Sequence, residues 1–456
     1  MRLVSSKSNA VPQIPIPPPL RGAEAGSFAQ AASFAADTIL RRLPEIARRV
    51  IAENSFDPPT NDRLSALAAN LPHGRVRPLL DEQAPDWADW QAALRPFLGQ
   101  SWLELPLFAA EMVFYRRILE ATGYFQPGAG YGVDPYRLQK ELGLAQAAPA
   151  LAQALPQGLP PAPERLSRLL ALSLWANQAD LSLWPVQGDR GGKAGGGRAA
   201  SHLLVDQSRT ALHALEALPG GRVDLLLDNF GSELCFDLLL ADALLARSPA
   251  LSLRLHVKPH PCFVSDVIAA DLARAVACLQ IDCPAWASPI AQRLEQAQQA
   301  RRLQVATHFY WASPHPAWEM PLDLWAELSD SSFLISKGDV NYRRWLGDAG
   351  IYMVSLVAGL TDVDAITLSL ANNARDGLSH EVASRGIVFA ALSNSLVKAM
   401  LIAAATGAAL MALVAGLSAA LCEEGARWIV LIFFLKLLGH PSCRQGNLMM
   451  SVPVHF

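Results

Sequence analysis

From Arg222 onward, short apolar runs alternate with longer helical patterns, and each of three apolar runs hands over to a polar cluster. VDLLLDN (223–229) is rich in Val and Leu, and after a turn comes ELCFDLLLADALLAR (233–247) with a helical pattern. LSLRLHV (251–257) repeats the strand, and FVSDVIAADLARAVACL (263–279) is read as the next helix. RRLQVATHFYW (301–311) and SSFLISKGD (331–339) supply two further strands. Strands that are apolar throughout, each followed by a helix, are buried on both faces. This predicts an α/β fold in which a parallel sheet is covered by helices on either side.

Upstream the grammar is different. Residues 11–20 are proline-rich and extended. From Ser27 to Asn54, Phe28, Ala32, Phe34, Ile39, Leu43, Ile46 and Val50 recur at helical spacing. Further helical runs cover Trp87 to Phe97 and Leu107 to Phe125. The expected organisation is a helical N-terminal region over 1–150, then an α/β core over 165–348. The boundary between them is the Ala- and Pro-rich stretch 144–164.

Net charge is −3, which gives no electrostatic footprint for nucleic acid. The six cysteines form no C-x-x-C pair and no zinc-like spacing, so buried thiols in a reducing compartment are expected. The first twenty residues contain no apolar run of the signal-peptide kind, and a cytoplasmic catalytic domain is expected. GDRGGKAGGGR (188–198) fails the phosphate-loop spacing, since three residues separate Gly188 from Gly192 and Ala194 follows the lysine. It reads as a loop.

The chemistry gathers where strands end. Asp228 and Asn229 close the first strand, and Asp266 follows the second. Lys337, Gly338, Asp339, Asn341 and Arg343 follow the last. In open parallel sheets these carboxyl ends line the ligand crevice. Asp228, Asn229 and Asp266 are all oxygen donors, suited to a hard or borderline divalent cation such as Mg²⁺ or Mn²⁺. Gly231 permits a tight turn, and a helix opening near Ser232 aims its free N–H groups at the same crevice. Glu233 is expected to face the site, and Asp237, four residues on, to be structural. Two carboxylates balance a divalent cation, while Lys337 and the helix terminus add positive character. The resulting field suits a phosphate monoester. His256 and His260 are poorly placed as ligands, because a strand directs such residues unhelpfully and no third histidine is near.

LLLDNFGSELCFDLLLADALL, LHVKPHPCFVSDV and ISKGDVNYRRWLGD together resemble the metal-binding domain of the damage-control phosphatase family, in its acidic-residue-methyltransferase-like branch. FAAEMVFYRRILEATGYF and LWANQADLSLW (174–184) are similar to that branch's helical part, and the resemblance spans about 11–348. It implies an α/β/α core with a helical N-terminal region. It also implies hydrolysis of phosphorylated metabolites, typically sugar phosphates such as fructose 1-phosphate, with Mn²⁺, Co²⁺ or Ni²⁺. On that resemblance Asp228, Asn229 and Asp266 are metal ligands. Glu233, Lys337 and Asp339 contact substrate or phosphate, as do Asn341 and Arg343. A protein-glutamate methyltransferase activity has also been ascribed to the branch, but here no G-x-G-x-x-G loop follows a strand.

The pattern breaks after Asp348. The family continues to one more strand and an Arg-Thr-x-Lys motif whose lysine is expected to hold phosphate, and nothing after Asp348 contains it. One cationic phosphate ligand is therefore missing unless Arg343 or Arg344 substitutes for it, and a catalytically impaired metal-binding remnant is the alternative reading. From Ala399 to Leu421 the chain carries no charge. At ~1.5 Å per residue that run is long enough to cross a bilayer core. Hydrophobic helices are therefore expected over 351–421, with a membrane as partner, and 422–456 is unassigned. Ile351 to Leu370, with Asp362 and Asp364, reads as a second span; GLTDVDAITLSLA and the later LVKA resemble the membrane domain of MgtC/SapB-type proteins. The abrupt change near Gly350 suggests a gene fusion, a frameshift or an assembly artefact.

Overall fold

A computed structural model describes residues 35–71, 73–176 and 207–346. The glycine-rich loop, most of 174–184, the hydrophobic helices expected over 351–421 and the tail 422–456 lie outside these residues. Among the described residues no helix is long and apolar enough to cross a membrane.

Among the described residues four strands form one sheet: β1 (Gly221–Leu226), β2 (Leu251–Val257), β3 (Leu303–Thr307) and β4 (Phe333–Ser336). All pairings are parallel and the order is β3-β2-β1-β4. Leu225 lies opposite Leu255 on one side and Ile335 on the other, so the apolar rows of neighbouring strands line up. Successive strand residues point to opposite faces. Val223, Leu225, Leu227, Leu253, Leu255 and Val257 are buried in the main core cluster with Leu234 and Leu238 of the first crossover helix (Ser232–Leu245). On the opposite face Leu226 packs with Tyr310, Trp311 and Leu324, the last from the helix Leu322–Ser329. Helices on both sides of a parallel sheet make the α/β/α core the sequence predicts.

The chain steps outward from β1 to β2 to β3, then returns to place β4 on the far side of β1. Strand order therefore reverses at β1, and such a reversal opens a crevice beyond the strand's carboxyl end. Asp228 and Asn229 stand there.

The helical region packs as a second cluster built on four helices: α1 (Leu43–Glu53), α2 (Pro58–Asn70), α3 (Trp87–Leu94) and α4 (Leu107–Thr122). Ile39, Leu43, Ile46 and Val50 are buried as their spacing predicts, although a π-helical turn (Thr38–Arg42) precedes α1. The same cluster takes in Cys262, Ala312 and Val340, with Phe263 and Val264 at its margin. These residues belong to loops and a helix at the sheet's carboxyl edge, so the helical layer sits over that edge. Ala147, Ala150 and Leu151 of the helix Ala147–Ala154 pack instead with the sheet's core.

Buried ion pairs tie layer to core. Lys140 lies 2.8 Å from both Asp134 and Asp271. Arg116 joins Asp81 (2.8 Å) and Asp86 (2.9 Å), and His260 approaches Asp86 at 3.3 Å. His256 is bound to Asp224 at 2.8 Å. Both histidines are thus buried against carboxylates. Cys235, Cys262, Cys278 and Cys283 are buried free thiols, as expected.

One expected helix starts late. Residues 263–279 were expected to be helical throughout, but the helix runs Ala269–Ile281. Before it, Phe263 takes a left-handed backbone (φ 47°). The backbone of 265–267 bonds to its neighbours rather than to itself: Phe230 N donates to Ser265 O (2.7 Å), Val267 N to Asp228 O (2.9 Å), and Lys258 N to Val267 O (2.8 Å). A backbone donor or acceptor used across the chain is not available for a helical turn.

Candidate metal and phosphate site

The segment 265–268 wedges between the extensions of β1 and β2, and its pairing sets the site. Asn229 pairs antiparallel with Asp266, and Lys258 bridges in parallel to Ile268. Asp228, Asn229 and Asp266, thirty-eight residues apart at most by number (266 − 228), become neighbours through backbone hydrogen bonds. All three are buried.

Asn229 is held from three sides. Its Nδ2 donates to Asp228 Oδ2 (2.6 Å) and Glu233 Oε2 (3.0 Å), and its Oδ1 accepts from Ser265 Oγ (2.5 Å). An amide oxygen has two lone pairs, so one remains for a cation. Gly231, at φ 107°, makes the turn into the first crossover helix; a Cβ there would meet the Gly143 backbone at 3.0 Å. Gly338 (φ 94°) approaches from the β4 side so closely that a Cβ would fall 2.1 Å from the Asp228 carboxyl carbon.

Carboxylates crowd the site. Burial, with repulsion from Asp266 and Glu233, pushes the Asp228 carboxyl well above the ordinary carboxylate range. Burial pushes Asp266 up to about 6, against the pull of Lys258 and Lys140. Asp266 Oδ2 is buried without a hydrogen-bond partner, since Lys258 Nζ stands off at 3.5 Å. A buried acceptor with no donor is costly unless something fills its place. The orphaned oxygen, the close glycine at Asp228 and the all-oxygen donor set suit a hard or borderline divalent cation. Among the described residues no three His, Cys, Asp or Glu side chains meet as a metal cluster; this set is two carboxylates and an amide.

The other residues expected at the site divide. Glu233 is inside it, 2.6 Å from Lys337 Nζ. Lys337 is buried and also donates to Asp237 Oδ1 (2.8 Å) and Ser173 O (3.0 Å), so its three donors are used. Burial would lower the Lys337 pKa, but Asp237 and Glu233 outweigh it and hold the ammonium charged. Asp237 accepts from Lys337 Nζ and Ser173 Oγ, and burial raises its pKa to about 6. Asn341, on the helix Asp339–Leu346, donates its Nδ2 back to Lys337 O (2.9 Å) just ahead of that helix. Asp339 stands apart, its side chain 76% exposed and paired with Arg343 at 2.9 Å. Arg343 also binds Glu111 at 2.6 Å. Arg344, fully buried, donates to the carbonyls of Trp311, Ser313 and His315 and lies over the Phe108 and Tyr310 rings. Neither arginine is brought to Asp228.

Sequence reasoning missed Lys258 and Ser265. Lys258 directly follows a buried strand at the same edge as Asp228, and that signal was available.

The model of the damage-control phosphatase ARMT1-like domain matches residues 38–363, most of the chain. The chain belongs to that family. Among its curated relatives, damage-control phosphatase ARMT1 of Xenopus tropicalis is 29% identical over 370 residues, covering 69% of this chain and 82% of the relative. The Homo sapiens protein of that name is 28% identical, covering 73% and 85%. A match to a solved DUF89 family protein from Pyrococcus horikoshii covers 70% of this chain and 87% of that one, at 15% identity and a TM-score of 0.38. A second model, a domain of unknown function called DUF4010, matches residues 340–419. It covers much of the segment where hydrophobic helices are expected. The two matches share residues 340–363, on both sides of Gly350.

Proposed function

We propose that this chain is a divalent-metal-dependent phosphatase of phosphorylated small metabolites such as sugar phosphates, with Asp228, Asn229 and Asp266 as ligands of Mn²⁺, Co²⁺, Ni²⁺ or Mg²⁺. The observation that carries this reading is the pairing of Asn229 with Asp266 beside Asp228, at the point where strand order reverses. A bound divalent cation supplies Lewis-acid polarisation of the phosphoryl oxygens.

The chain's own residues do the rest. Asp228 and Asp266 provide two negative charges in a buried site, where electrostatic interactions are stronger than in water. Ser265 and Glu233 fix the Asn229 amide so that its free lone pair keeps one direction. Lys337 is the counter-charge shared by Glu233 and Asp237 and keeps the helix behind the site in place. The helical layer, packed on Cys262, Phe263 and Val340, excludes water. The hydrophobic segment matched in part by DUF4010 would anchor this cytoplasmic domain to a membrane.

The test is phosphate release from fructose 1-phosphate with Mn²⁺ or Co²⁺. Asp228→Ala and Asp266→Ala are each expected to lower turnover roughly 100-fold or more, the scale of losing one group that stabilises transition-state charge. Undiminished turnover in both variants would remove the ligand assignment.

A further inference from the structure

Arg343, Arg344 and Lys337 are each committed to protein partners. A phosphate ester entering the site still needs a cation besides the metal. Lys258 remains. It follows β2 directly and is 3% exposed. Its Nζ donates to Trp311 O at 3.0 Å and stands 3.5 Å from Asp266 Oδ2. An ammonium has three donors, and a buried one with unused N–H groups is stable only where an acceptor is supplied. Its backbone is fixed as well, because Lys258 N donates to Val267 O in the pairing that places Asp266.

Charge counting agrees. Asp228, Asp266, Glu233 and Asp237 face Lys337 and Lys258, a formal excess of two negative charges that a divalent cation cancels. A phosphate dianion then has one ammonium beside it whose hydrogens are not all taken.

Resting on the phosphatase reading above, we propose that Lys258 is the phosphate-binding cation of this site, donating to a phosphoryl oxygen of an ester held next to Asp266. It acts on substrate and is not a holder of the metal. Removing a positive charge beside a cation site does not weaken cation binding by electrostatics, so the two roles separate experimentally.

The full chain, Lys258→Met and Lys258→Arg are compared by calorimetric titration with Mn²⁺ alone, then with inorganic phosphate at saturating Mn²⁺, and by KM and kcat for fructose 1-phosphate. Lys258→Met is expected to bind Mn²⁺ within about threefold of the unsubstituted chain and phosphate roughly 10- to 100-fold more weakly, the scale of one charge-assisted hydrogen bond. Its KM is expected to rise, and Lys258→Arg to recover part of the loss. Phosphate affinity unchanged in Lys258→Met overturns the proposal, and so does a loss of Mn²⁺ binding as large as the loss of phosphate binding. If the unsubstituted chain itself neither binds phosphate with Mn²⁺ nor hydrolyses the ester, the phosphatase reading fails first. Should Lys258→Met not fold, a structure of the unsubstituted protein with Mn²⁺ and vanadate decides: an oxyanion oxygen about 3 Å from Lys258 Nζ supports the assignment, and one out of its reach overturns it.

Discussion

At the scale of single residues, the site is held by contacts that leave little slack. Lys337 lies between Glu233 and Asp237 with its three donors used, so Lys337→Met leaves two buried carboxylates without a counter-charge. Breaking a buried pair from one side costs about 3–5 kcal/mol, and urea unfolding is expected to show a loss of that size. A loss under about 1 kcal/mol would mean that the carboxylates are not buried as described. Gly338 makes a different demand. At φ 94° with Asp228 beside it, an added methyl group has nowhere to go, because the backbone and the carboxylate both oppose it. Gly338→Ala is expected to displace Asp228 and weaken Mn²⁺ binding at least tenfold, while the melting temperature falls by only a few degrees for a cost of about 1–2 kcal/mol. Unaltered Mn²⁺ affinity would show that the glycine does not shape the ligand.

At the scale of elements, the helical layer and the sheet are joined by buried polar ties. Arg116 on α4 anchors Asp86 at the start of α3, and Asp86 in turn reaches His260 in the loop after β2. Burial alone would raise the Asp86 pKa, but the nearby His260 ring and the charge and hydrogen bonds of Arg116 outweigh it and hold the carboxyl below its ordinary value. The unfolded reference is about 3.9, so this stabilisation is complete above that pH and lost as pH falls through the lower folded value. Asp86→Asn is therefore expected to cost about 2–4 kcal/mol at pH 7, with the difference from the unsubstituted chain shrinking below about pH 4. Urea midpoints at pH 7 and pH 3.5 measure this. A gap that stays constant or widens in acid contradicts it.

At the scale of the molecule, the site closes only when two separately built clusters meet over the sheet's carboxyl edge. A cation bound to the folded chain alone then stabilises all of it. At a free Mn²⁺ concentration 100 times its dissociation constant the gain is about 2.7 kcal/mol, and a chelator should reverse the matching rise in melting temperature. Asp266→Ala should abolish that rise. A rise of the same size in Asp266→Ala places the cation elsewhere.

The parallel sheet, its two-sided cover and the edge carrying the chemistry were legible in the sequence, because buried strands and their crossovers impose periods on it. β2 to β4 fall within the apolar runs that announced them, β1 begins two residues before its run, and Ile39, Leu43, Ile46 and Val50 are buried as spaced. Which side chains meet there was decided by long-range contacts that leave no local period. The late start of the helix at Ala269 follows from backbone bonds to Asp228 and Lys258. Asp339 is turned outward toward Arg343, and Arg344 is spent on carbonyls of residues about thirty positions away. Lys258 passed unnoticed because its meaning depends on Trp311 and Asp266, which only folding brings within reach. Sequence determined the kind of sheet and the residues offered at its edge. Tertiary structure decided which of them share one buried volume, because burial and counter-charge belong to the assembled fold and not to any stretch of chain.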